Sequence, residues 1–221
     1  MTIHLSLSGG MDSSTLLAQA VSFGESVAPV AFQYGQRHQR EVRSAAAVAD
    51  YYGLTLDIVR LPHLTSESLT GSSPVPHGHY TDESMAATVV QGRNLLFATM
   101  LVCRAQPGDQ VWLGVHAGDH AVYPDCRPEF VEPLRTAVLA AYGVTLQTPF
   151  IDMSKAAIGA LGAELGVPYR LTWSCYEGNE VHCGRCGTCV ERAEAFHLAG
   201  VDDPTVYADP DFWRAEVAAH V

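Results

Sequence analysis

Residues 3–14 read Ile3-His4-Leu5-Ser6-Leu7-Ser8-Gly9-Gly10-Met11-Asp12-Ser13-Ser14, and how this stretch divides decides the fold class. Ile3 to Leu7 is a short β-favouring run. From Ser13 to Ser22 the pattern turns helical, with Leu16, Leu17, Ala20 and Val21 on one face. Ser8-Gly9-Gly10 makes the turn between them. A strand that delivers the chain to a helix start brings unpaired N–H groups and the positive end of the helix dipole to one point, which attracts anions. Adjacent glycines let the backbone approach oxygen atoms closely and permit positive φ. The hydroxyls of Ser8, Ser13 and Ser14 add donors. The G-x-x-x-x-G-K-[ST] nucleotide loop is absent. A plain Gly-Gly turn capped by Asp12 and Ser13 is the bland alternative, but the full string Ser8 to Ser13 in a first strand-to-helix turn favours a phosphate-binding loop.

Outward from this turn, Val27 to Tyr34 reads as a second strand. Glu41 to Tyr52 reads as an amphipathic helix closed by Gly53, and Leu54 to Arg60 as a third strand. A β-α-β-α-β series predicts a parallel sheet with right-handed crossovers. His63 to Val90 is rich in Ser, Thr, Pro and Gly, and so long a connection is expected to serve as a lid over a ligand. Further on, the patterning predicts a helix from Asn94 to Arg104 and a strand from Gln110 to Val115. A helix from Pro128 to Tyr142 and an extended segment from Leu146 to Phe150 follow. The next helix spans Asp152 to Leu165, with Asp152 or Ser154 as N-cap. Tyr169 to Ser174 reads as β-like, Val190 to Leu198 as helix, and the rest as a polar tail. No internal repeat is visible.

Six cysteines occur, and Cys175, Cys183, Cys186 and Cys189 follow the spacing C-x7-C-x2-C-x2-C. Four thiolates converging at about 2.3 Å suit tetrahedral zinc with no open position, a structural site. The spacing leaves an iron–sulfur cluster or a redox dithiol open as alternatives. Cys103, inside an apolar helix, reads as packing. The chain has 221 residues, 48% of them hydrophobic, enough for one domain with a small appendage. We therefore expect a main domain over residues 1–170 and a cysteine-bearing segment over 171–221. The net charge of −11 argues against a direct nucleic-acid partner. No signal peptide is read at the N-terminus, and the apolar stretches read as too short to span a membrane. A cytoplasmic setting is expected.

The string S-G-G-x-D-S resembles the loop of the PP-loop ATP pyrophosphatases. The likeness becomes specific in the middle of the chain. Tyr34-Gly35-Gln36-Arg37-His38 with Glu41, then Gly92-Arg93-Asn94, Gly114 to Phe130 (GVHAGDHAVYPDCRPEF), Ser174-Cys175-Tyr176, the cysteine spacing and the closing A-G-V-D-D-P-T-V-Y resemble the 7-cyano-7-deazaguanine synthases, the QueC family. One departure is Val90-Gln91 where the family usually has V-P.

The resemblance implies an α/β fold with a Rossmann-like parallel sheet of the adenine nucleotide alpha hydrolase type, ATP with Mg2+, and Zn2+ at the cysteines. It implies adenylation of 7-carboxy-7-deazaguanine, attack by ammonia, and conversion of the amide to a nitrile. It also implies a homodimer, for which the aromatic tail (Tyr207, Phe212, Trp213) is a candidate contact. The implied catalytic set is Asp12, Arg93, Asp119, Asp125, Arg127 and Lys155. ATP would lie on Leu7, Ser8, Gly9, Gly10, Met11, Asp12, Ser13, Ser14, Tyr34, Gln36 and Arg93. The deazapurine would lie on Arg37, His38, Asn94, His116, Tyr123, Asp125 and Arg127, with Asp119 or Asp125 accepting from its guanine-like edge and Glu41 and His38 shuttling protons. A rival in the same family joins the activated acid to an amine of a protein or peptide, in a phage or antiphage context. A tRNA-modifying thiolase would need a basic face, and a non-catalytic zinc-ribbon module would leave Ser8 to Ser13 unexplained.

Overall fold

The computed structural model describes residues 1–36 and 39–220. Arg37 and His38, expected at the deazapurine, lie outside the described residues. Five strands, β1 (Thr2–Ser6), β2 (Ser26–Gln33), β3 (Asp57–Arg60), β4 (Gln110–Trp112) and β5 (Thr145–Gln147), form one parallel sheet in the order β3-β2-β1-β4-β5. The order reverses between β1 and β4. In doubly wound sheets that reversal opens a crevice beyond the carboxyl ends of the strands. Pro29 is tolerated inside β2 because the β3 ladder begins only at Val30, so Pro29 faces no missing partner on that side.

Side chains alternate between two helical layers. Val30, Phe32, Val111 and Leu113 point into one core, which α3 (Arg93–Val102) and α4 (Pro128–Tyr142) cover. Leu5, Leu7, Ala31 and Trp112 point into the other, beneath α1 (Met11–Ser22), α2 (Arg40–Tyr51) and α5 (Lys155–Glu164). The side chain of Ser154, not Asp152, caps α5 by accepting from the Ala157 N–H at 3.2 Å. α6 (Gly187–Ala199) then packs on α5 and, through Phe196 and Ala195, against Met11 and Ala18 of α1. Its Arg192 is fully buried. The guanidinium donates to the hydroxyls of Thr205, Thr172 and Ser174 and to the Tyr169 carbonyl, tying the C-terminal segment to the main body.

Three expectations change. Tyr169–Leu171 is a 3₁₀ turn, not a strand, because Val167, Tyr169 and Thr172 are held by local bonds to Gly162, Val167 and Tyr169. The tail carries a further helix, α7 (Phe212–Ala219), whose Trp213 packs on Val190 and Ala193. The tail aromatics thus fill the chain's own core. Cys103 is exposed at the C-cap of α3. Residues Glu83–Val102 are long and apolar enough to cross a membrane by length and composition. Here the run is broken at Val89–Gly92 into a 3₁₀ segment (Glu83–Thr88) and α3, which packs on β1 and β4.

Candidate active site

β1 ends at Ser6, and the chain turns through Leu7, Ser8, Gly9 and Gly10 into α1. The Ser13 side chain closes this loop, accepting from the Ser8 N–H at 3.2 Å and lying 3.0 Å from the Ser8 hydroxyl. Gly9 is required by space and by conformation. Its φ is +86°, and a Cβ there would lie 2.4 Å from the Ala45 nitrogen and 2.5 Å from the Glu41 carbonyl on α2. Gly10 instead opens onto a cavity of about 230 Å³ at the β1/β4 reversal.

At one end of the cavity a charged cluster faces the loop. The Lys155 ammonium, at the first position of α5, is 3.2 Å from the Asp12 carboxylate and 2.6 Å from that of Glu191 on α6. Burial works against the Lys155 charge, but the carboxylates of Asp12 and Glu191 overcome it and raise its pKa. Burial likewise disfavours the Asp12 charge, yet Lys155 and then His116 hold that carboxyl below its ordinary range. Asp119 lines the same end, and burial pushes its carboxyl up. His116 stands behind the wall. It is almost fully buried, accepts from the Gly118 N–H at 3.1 Å, and lies 3.8 Å from Asp12 and 3.6 Å from Asp119. Its role here is to hold two carboxylates apart and in place.

The other end is aromatic. Arg93 at the start of α3 lines this end with Tyr34 and lies over the Tyr123 ring at 5.8 Å. The Tyr123 hydroxyl is hydrogen-bonded to that of Thr88 at 2.7 Å, and Tyr176 lines the same end. Glu41, from the first turn of α2, lines this end. Burial raises its carboxyl to about 7 against the pull of Arg93. Gln36 stays at the rim, its amide bridging the Tyr34 N–H and the Phe32 carbonyl. Leu69, Tyr80 and Met85 from the long connection 63–90 complete the wall.

Of the residues expected at the site, Leu7, Ser8, Gly10, Met11, Asp12, Ser13, Tyr34, Gln36, Arg93, Asn94, Asp119, Tyr123 and Lys155 line this cavity. Five of the described ones do not, for identifiable reasons, His116 because it is buried behind the wall. Ser14 is wholly buried inside α1. Gly9 is pressed against α2. Asp125 turns its carboxylate to the Asn94 N–H at 3.1 Å, capping α3. Arg127 donates to the His120 carbonyl at 2.7 Å. Both serve to shape the segment that carries Asp119 and Tyr123. Glu191, Tyr176, Ser174 and Thr188 line the cavity without having been singled out.

The cysteines lie beside this wall. The Sγ atoms of Cys175, Cys183, Cys186 and Cys189 lie within 4.8 Å of one another, with Cys183 and Cys189 3.9 Å apart. A tetrahedral metal with bonds of about 2.3 Å separates its sulfurs by about 3.8 Å, so the set fits one ion. The N–H groups of Arg185 and Cys186 each point at the Cys183 sulfur at 3.3 Å, as they do toward a thiolate. The cluster joins the chain at Ser174 to the N-terminus of α6 at Gly187 and Thr188, and all of these line the cavity. The long connection is fastened to the same knuckle. The Gly78 N–H bonds the Arg185 carbonyl at 3.0 Å, and Met85 fills the space above Gly187.

The family described as queuosine biosynthesis protein QueC matches residues 2–200. The chain belongs to the QueC family. Its relatives in that family include proteins named 7-cyano-7-deazaguanine synthase from Rhizobium johnstonii, 46% identical with 96% of this chain and 94% of that protein covered. Those of Brucella anthropi (46% identical, 95% and 95%) and Ruegeria pomeroyi (46%, 95% and 96%) carry the same name. Among solved structures, an NMN synthetase from Francisella tularensis superposes on this QueC-family chain with a TM-score of 0.51 at 17% identity, covering 96% of this chain and 83% of that one. At that identity the likeness concerns the fold alone. In this QueC-family chain the Ser8–Ser13 loop and the residues flanking the four-cysteine cluster line one cavity.

Proposed function

We propose that the protein is an ATP-dependent ligase that makes 7-cyano-7-deazaguanine from 7-carboxy-7-deazaguanine and ammonia. The observation that carries this reading is the two-ended cavity. One end is an anion loop with a buried cation, the other a ring-lined slot with an arginine, and both open on the same space. The loop N–H groups and Lys155 hold the diphosphate that leaves while the α-phosphorus goes to a carboxylate oxygen. Asp12, Asp119 and Glu191 would offer oxygen ligands to a Mg2+ that accompanies ATP. Arg93 offers the fork that brings a second anion close to the first.

The acyl adenylate then exchanges AMP for ammonia, with loss of a proton, and gives the amide. A second ATP takes the amide oxygen, and loss of AMP and a further proton leaves the nitrile. Cys175, Cys183, Cys186 and Cys189 would hold Zn2+, which would fasten the chain at Ser174 to the start of α6 and so keep the wall in shape. Its four thiolates leave no position for water.

Incubation with the deazapurine acid, ATP and ammonium tests the reading. Nitrile by mass spectrometry, with AMP and pyrophosphate in equal amounts, is the expected result. No AMP under these conditions refutes it. Amide without nitrile, or a conjugate with a protein amine, refutes the nitrile step and favours the amide-forming branch of the family.

A further inference from the structure

The aromatic end of the cavity holds a carboxyl that no fold requirement explains. Glu41 is a half-buried carboxyl on the first turn of α2 that lines the cavity. Among the described residues, burial and the Arg93 charge are the only influences on it, and no hydrogen bond or ion partner holds it. Its charge is felt by Tyr34 and Tyr176, both on the cavity wall, so the carboxyl belongs to the slot and not to the outer surface. Arg93 lines the same end, with Tyr34 and Tyr176, and lies over the Tyr123 ring at 5.8 Å. A cavity-facing carboxyl that desolvation holds toward its neutral form, with no partner among the described residues, is placed to take donors from a ligand.

We infer that Glu41 is the specificity-determining residue that reads the ring N–H and exocyclic 2-amino group of a guanine-type base, with Arg93 donating to the neighbouring carbonyl oxygen. A guanine-type edge presents donor, donor and acceptor in a row. A carboxylate next to a guanidinium, between aromatic faces, is the complement of that row. An adenine-type edge offers one donor and then an acceptor, which leaves a Glu41 oxygen facing a lone pair. The occupant of this end is therefore the deazapurine, while ATP occupies the loop end. Asp119 and Asp125 are engaged elsewhere, in the charged cluster and in capping α3.

This inference rests on the function proposed above, and the experiment separates the two. Equilibrium binding of 7-carboxy-7-deazaguanine and of its analogue lacking the 2-amino group is measured for the parent protein and for Glu41→Gln. AMP release and the KM for ATP are followed alongside. The parent is expected to prefer the amino-bearing ligand. Glu41→Gln is expected to lose about 10- to 100-fold in affinity for it, the worth of hydrogen bonds to a charged group. Its affinity for the analogue should change far less, so the preference collapses, and its KM for ATP should stay within about threefold. An unchanged preference in Glu41→Gln, an equal loss for both ligands, or a shift confined to ATP overturns the assignment. Normal binding and preference without AMP release by the parent protein overturns the synthase reading and leaves the assignment standing. No binding of either ligand overturns both. A melting temperature no lower than the parent's is expected for Glu41→Gln, because no contact among the described residues is removed.

Discussion

Lys155 is the cation on which the loop end depends, and Lys155→Met tests it. Its ammonium sits 2.6 Å from Glu191 and 3.2 Å from Asp12, with side chains only 12%, 10% and 21% exposed. A pair of unit charges about 4 Å apart is worth about 4 kcal/mol at an effective dielectric of about 20. The same positive charge faces the departing diphosphate. Removing a preorganised donor of this kind costs about 3 to 4 kcal/mol in the transition state, roughly 100- to 1000-fold in rate. The fold suffers too, since Asp12 and Glu191 are left without a counter-charge at a cost of about 3 kcal/mol. That lowers the melting temperature of a chain of this size by about 6 to 12 °C. The two losses separate in Lys155→Met/Glu191→Gln, which removes one of the stranded carboxylates. The double variant should regain much of the melting temperature and none of the activity. Pyrophosphate release at saturating deazapurine acid is the assay. A single variant within about threefold of the parent in kcat/KM for ATP, or a double variant that recovers activity with stability, refutes the reasoning.

Four further outcomes follow from the same geometry. Gly9→Ala places a methyl group against the backbone of α2 at a positive φ, so the loop must distort. Loss of at least about 100-fold in kcat/KM for ATP is expected, read by pyrophosphate release. Glu41 has its folded pKa raised from 4.5 to about 7. For a carboxyl raised in this way the destabilisation is absent below about pH 4.5, grows through the interval and is complete above about pH 7. Glu41→Gln should therefore stabilise the protein at pH 8, by at most about 3 kcal/mol, and not at pH 4, as melting curves at the two values will show. Binding of the deazapurine should tighten as pH rises through about 7, since only the carboxylate accepts two N–H donors. Metal removal by a strong chelator should free the amides of residues 174–190 and of 77–86 to exchange with solvent, because both segments are fastened at the cysteine knuckle. Loss of protection in the first segment alone refutes the strapping of the second.

The loop and the cysteine set were legible in the sequence because each is contiguous. Ser8 to Ser13 act through backbone geometry, and Cys175 to Cys189 act through spacing. The sheet was legible from its first three strands, whose order of β and α patterns leaves few parallel arrangements. Glu191 was not legible. It reaches Lys155 across a separation of 36 residues, and its only local mark is its place two residues after Cys189. Tyr176 stood in a recognisable string without a role, since only folding brings it to Tyr123 and Arg93. Asp125 and Arg127 show the opposite failure. Their residue types suggest chemistry, but an unpaired N–H at the start of α3 and a free carbonyl at His120 engage them first. Tyr169 to Ser174 alternates like a strand, but the short-range bonds around Tyr169 wind it into a turn. α7 was hidden behind an Asp- and Pro-containing segment that carries no helical period of its own.

The central claim is that a carboxylate is made attackable by transfer of AMP onto its oxygen. The direct measurement uses deazapurine acid labelled with 18O in both carboxylate oxygens, with ATP and ammonium, and mass spectrometry of the products. The account predicts unlabelled nitrile, unlabelled pyrophosphate, and AMP carrying a single 18O, because each oxygen departs on its own nucleotide. Label in the pyrophosphate, or AMP without label while nitrile forms, contradicts it.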